Sequence, residues 1–125
     1  MSPVFLVEES TVRESGESAI FDASELSSQN LLLTFGITHA VEDQSIGLDI
    51  HGSKDGLSWP SKPIASLTPK FYCGTYHLML PGVEARYLKA AWRVSRWSRA
   101  DQRPFFRFYI FAEEARVRAA VAGAA

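Results

Sequence analysis

The stretch from Ile46 to Trp59 constrains the fold more than any other. Ile46-Gly47-Leu48-Asp49-Ile50 carries a large apolar residue at every second position, Ser53-Lys54-Asp55-Gly56 interrupts the run, and Trp59 follows. A period of two places Ile46, Leu48 and Ile50 on one face of an extended strand and Asp49 and His51 on the other. Asp-Gly between apolar runs signals a hairpin, because its turn needs positive φ and glycine reaches that region at least cost. On this reading Trp59 returns to the core. An antiparallel β architecture follows from the pattern; a chemistry does not.

Similar runs recur along the chain with turn residues between them, the signature of a sandwich or barrel. Pro3 to Val7 reads as a short first strand. A turn at Glu14-Ser15-Gly16-Glu17 precedes Ala19-Ile20-Phe21-Asp22. Asn30 to Thr38 is the clearest strand, with Leu31, Leu33, Phe35 and Ile37 facing one way and Leu32, Thr34, Gly36 and Thr38 the other. Pro60, Pro63 and Pro69 exclude a central strand between them and favour an edge or an extended loop. Tyr72 to Leu80 alternates loosely and stops at Pro81-Gly82. Arg86 to Val94 sets Leu88, Ala90, Trp92 and Val94 against Tyr87, Lys89, Ala91 and Arg93. Phe105 to Ala112 carries Phe106, Phe108 and Ile110 on one face and Phe105, Arg107, Tyr109 and Phe111 on the other. Aromatics on both faces predict a last strand covered on both sides, one side by a partner subunit. The Ala-rich tail 113–125 reads as a short helix or a frayed end, so the β domain is expected to span 1–112.

The 125 residues make one domain, enough to bury roughly two-thirds of the surface of the unfolded chain. Cys73 is alone, which excludes an internal disulfide and suits a reducing compartment. The N-terminus has no basic leader, and no run approaches the ~20 apolar residues of a membrane helix. The expectation is a cytoplasmic protein. Net charge is −1, which argues against a whole-domain polyanion binder. The charge is segregated, however: residues 1–85 hold four basic groups against eleven acidic ones, and residues 86–125 hold nine against three. Two halves interleaved as neighbouring strands would neutralise one another.

Phe21-Asp22, the apolar strand Leu31 to Ile37, Ser53-Lys54-Asp55-Gly56-Leu57-Ser58-Trp59 and Ala85-Arg86-Tyr87-Leu88-Lys89 stand in the order found in discoidin domains. In motif order the chain resembles that family, the coagulation-factor C-type branch of the galactose-binding-like jelly rolls, over roughly 20–111. The resemblance implies a jelly-roll sandwich and a binding role. Its matching motif is a turn-and-core device, and the family's ligand loops vary, so no binding residue carries over.

The best binding candidates lie in Trp92 to Arg103, where Arg93, Arg96, Arg99 and Arg103 accompany Trp97. Arginine forks recognise phosphate or carboxylate, and a Trp face stacks a sugar or a base. The competing reading puts Trp92 in the core, Trp97 at the sandwich edge and the arginines on acids of the first half. His39, His51 and His77 lack metal-ligand spacing, and calcium would need oxygens from loops such as Glu42-Asp43-Gln44. Cys73, behind two aromatics, reads as buried packing. Glu8-Glu9 and Glu113-Glu114 point to opposite faces and read as solvated. No nucleophile, base, metal set or phosphate loop assembles, so no enzyme and no cofactor are expected. The expectation is an all-β antiparallel sandwich, a non-catalytic module that binds protein partners or itself as a homo-oligomer. The alternative is a carbohydrate-binding module using loop 92–103. Nucleic acid is a weak option.

Overall fold

The computed structural model describes residues 2–97 and 103–115, and their regular structure is entirely β. The strands are β1 (Val4–Val12), β2 (Gly16–Glu17), β3 (Phe21–Asp22), β4 (Leu31–Ala40), β5 (Gln44–Ser53), β6 (Ala65–Lys70), β7 (Gly74–Leu80), β8 (Tyr87–Arg96) and β9 (Phe106–Glu114). They form two antiparallel sheets. One has the order β1-β9-β4-β7; the other has β2-β8-β5-β6, with β3 also on β8. β2 and β3 pair with opposite ends of β8, Gly16 with Trp92 and Phe21 with Leu88, so they share one edge. Successive strands from β6 to β9 change sheet at each connection. This strand order is that of a jelly roll.

Alternation decides what is inside. Leu31, Leu33, Phe35 and Ile37 of β4 face Ile46, Leu48 and Ile50 of β5 across the interior, and Leu88, Ala90, Phe106, Phe108 and Ile110 complete it. The Phe108 ring is the hub, edge-on to Phe35 at 5.3 Å and to Trp92 at 5.4 Å. Trp92 packs on the core while its indole N–H donates to the Glu14 carbonyl. Pro69 falls within β6, an edge strand, where a missing N–H costs no ladder bond.

Several expectations need correction. β1 runs to Val12, well past Val7; two register shifts against β9 break its alternation and hide its length. Asp55-Gly56 does not close a tight hairpin. It starts an irregular connection before β6, with Gly56 at φ 77° and the Asp55 carboxylate accepting the N–H groups of Leu57 and Ser58. Trp59 does not return to the core. Lys89 faces outward from β8, and its ammonium sits 4.5 Å above the Trp59 ring while the indole N–H donates to the Gly56 carbonyl. Cys73 is exposed, because the turn between β6 and β7 carries it to the surface with Phe71 and Tyr72.

β9 also continues through Glu113 and Glu114, two residues beyond the expected domain limit, and pairs with Leu32 and Leu31 of β4. Glu114 is no solvated acid. It accepts the Ser27 hydroxyl at 2.7 Å and the Ser28 amide at 2.8 Å, pinning the β3–β4 connection to the sheet. The Ser27 hydroxyl first, then Ser28, hold its carboxyl far below the usual range. The helix considered for the tail falls mostly at 116–125, outside the described residues.

The segregated charge is resolved by strand order. The ion pairs among the described residues are Arg86–Asp22, Lys89–Glu17, Arg93–Asp49, Arg103–Glu14 and Arg107–Glu9. Every one joins a base of the second half to an acid of the first, because β8 and β9 lie between strands from the N-terminal half.

Candidate binding surfaces

The residues singled out in Trp92 to Arg103 are dispersed rather than gathered. Arg93 projects from the outer face of β8 and holds Asp49 with both ends of its fork, Nε at 3.0 Å and Nη2 at 3.3 Å. Burial opposes ionisation of Asp49, but the Ser66 hydroxyl and Arg93 outweigh it and keep its carboxyl below the ordinary value. Arg103 reaches Glu14. Arg96 turns into the end of the sandwich, where Nη1 donates to the Arg103 carbonyl and the buried Nε finds no partner. Arg99 lies outside the described residues. Trp97 is 58% exposed and lines a hollow.

That hollow opens where the β4–β5, β6–β7 and β8–β9 connections meet, at one end of the sandwich. Its volume is about 420 Å³, and Glu42, Asp43, Phe71, Tyr72, Cys73 and Trp97 line it. The Phe71 ring stands at 76° to Trp97, centroids 6.2 Å apart, and at 56° to Tyr72, 6.4 Å apart. Its frame is tied down. The Trp97 amide donates to the Asp43 carbonyl at 3.1 Å. Gln44, almost wholly buried, donates to the Phe105 carbonyl at 2.7 Å and accepts the Phe105 amide at 2.8 Å, acting as one rung of a ladder. Asp43 sits at φ 56°, a region that Asp tolerates better than most residues. Sequence reasoning reached Trp97 but not Phe71 and Tyr72, and it weighed Glu42-Asp43-Gln44 only as a calcium loop. Gln44 is committed to Phe105, and among the described residues no three His, Cys, Asp or Glu gather as a metal site.

A second surface covers the outer face of the β1-β9-β4-β7 sheet. Phe5 pairs across the strands with Phe111, their rings 5.1 Å apart, and meets Tyr109 edge-on at 6.0 Å. Phe5 is 50% exposed and Met79, on the far strand, 46%. Leu32 lies between Met79 and Glu113 on the same face. Phe5, Glu8, Glu9, Thr34, Tyr109 and Phe111 enclose an open hollow of about 570 Å³. Gly36 belongs to this face: the Tyr109 ring lies where its side chain would be.

No family model, curated protein or solved structure matches this chain. No helix among the described residues is long and apolar enough to cross a membrane.

Proposed function

We propose that this protein is a non-catalytic binding and assembly module acting through protein–protein contact, its partner a second copy packed on the outer face of the β1-β9-β4-β7 sheet. One observation carries the reading: Phe5, Tyr109 and Phe111 form an interlocked aromatic patch on the outside of a sheet whose inside is already filled. Aromatic residues beside shallow hollows are favoured interface anchors. The shifted register of β1 discourages pairing along that edge, so contact between faces is the expected geometry. The resemblance to discoidin domains suggests a binding role on separate grounds. A cytoplasmic location accords with the lone Cys73 thiol.

Sedimentation velocity over a concentration series tests the assembly. The wild-type chain should move toward a dimer as concentration rises, and Phe111→Glu or the more exposed Phe5→Glu should remain monomeric with an unchanged circular dichroism spectrum. A strict monomer at high micromolar concentration overturns the proposal.

Carbohydrate binding is the second reading, favoured by the aromatic hollow beside Trp97. The arginines proposed to assist it are weaker support, since Arg93 and Arg103 already hold Asp49 and Glu14.

A further inference from the structure

We propose that the hollow at the end of the sandwich is a site for an organic cation, an alkylammonium or guanidinium group, held between the rings of Trp97, Phe71 and Tyr72 and the carboxylates of Glu42 and Asp43. The site is separate from the aromatic face assigned to assembly.

The chemistry of the walls selects the ligand. Three aromatic rings that meet at steep angles present their faces and edges around one volume instead of stacking on each other. A ring face attracts a cation, and the attraction grows as water is excluded. Among the described residues, the charged side chains lining the hollow are two carboxylates, and neither takes part in an ion pair or side-chain hydrogen bond there. Among the described residues, the bases nearest in sequence make contacts of their own. Lys70 lies 4.8 Å over the Tyr76 ring, and Arg96 turns toward the Arg103 carbonyl. A neutral sugar would stack on the rings but bring no charge to offset desolvation of the two acids; a cation does both. The walls are also held in place before binding. Gln44 holds the Phe105 backbone, and Trp97 is bonded to the Asp43 backbone, which lowers the ordering cost at those two points. At about 420 Å³ the hollow lies within the range of small-ligand pockets.

Isothermal titration with tetramethylammonium, a capped lysine peptide, a capped arginine peptide and galactose tests this on the full chain. Saturable binding of the cations is expected. Trp97→Ala should weaken it by about tenfold, between the values for an exposed and a desolvated cation–aromatic contact. Glu42→Gln with Asp43→Asn should weaken it and remove most of its salt dependence, while Trp97→Phe should retain much of the affinity. Trp97 and both acids are at the surface, so circular dichroism should show all these variants folded. If the peptides bind much more tightly than tetramethylammonium, the source is a basic protein segment; equal affinities indicate a free amine. Absence of saturable cation binding, binding that survives Trp97→Ala, or a preference for galactose overturns the proposal.

Discussion

Replacing Gly36 with alanine should destabilise the protein, and removing the Tyr109 ring first should reverse the sign. A Cβ built on Gly36 falls 2.2 Å from Tyr109 Cζ and 2.3 Å from Cε1. Carbon atoms in contact rest at about 3.5–4.0 Å, so the ring must retreat by more than 1 Å. Phe5 meets the same ring edge-on at 6.0 Å and would be displaced or lose contact. Overpacking of this kind costs about 1–3 kcal/mol. Against it stands the gain from removing a strand glycine, about 0.5–1 kcal/mol. Gly36 has no positive φ, so its backbone accepts alanine. The net effect should be a loss of up to about 2.5 kcal/mol in the wild-type background. With Tyr109→Ala the clash is gone, and the same substitution should be neutral or stabilising by up to about 1 kcal/mol. Urea unfolding of the four proteins in this cycle, at low protein concentration to suppress association, gives the coupling energy. An equal loss in both backgrounds would refute the role assigned to the ring.

Two further outcomes follow from the loops. Glu114, with its folded-state pKa depressed by Ser27 and Ser28, adds stability that is present above its unfolded value near 4.5 and is lost as pH falls through the folded one. Glu114→Gln should therefore lower the urea midpoint at pH 7, and its deficit against wild type should shrink on acidification below pH 4.5; a deficit constant with pH contradicts this. Gly56→Val places a β-branched residue at φ 77° with its Cβ 3.3 Å from the Tyr87 ring, and should cost about 1–3 kcal/mol in unfolding experiments. An unchanged midpoint would show that the turn is not under that constraint.

The core was legible because its rule is local. Leu31 to Ile37 and Ile46 to Ile50 declare their faces by alternation alone, and Pro69 declares an edge by what proline lacks. β1 was only half legible, since its register shifts erase the period-two signal after Val7. β2 and β3 are two residues long, too short to carry any period, and exist because β8 offers them an edge. Trp59 was misplaced because nothing nearby in sequence reveals the Lys89 ammonium that holds it outside. The end site was legible only at Trp97. Its other walls come from two connections remote in sequence, joined by strands that change sheet. The exposed Phe71-Tyr72 pair before a turn was the signal available, and it read equally well as packing against Cys73.

Charge segregation along the chain gives a reason to look for partners where acids are left over. Each exposed pair is individually weak, on the order of 0–1 kcal/mol, so the five cross-half pairs contribute little to stability. Their effect is rather to engage Arg86, Lys89, Arg93, Arg103 and Arg107 on the flanks of the sandwich. Glu9, Glu14, Glu17, Asp22 and Asp49 are neutralised there by neighbours that strand order supplies. Glu42 and Asp43 sit instead on the β4–β5 turn, between the end of β4 and the start of β5, and among the described residues neither is in an ion pair. A carboxylate pair in that position, enclosed by three rings, either remains hydrated or is matched by a cation from outside the described fold. Hydration favours the first in dilute buffer, and the rings shift the balance toward the second once a cation with an apolar surface is present.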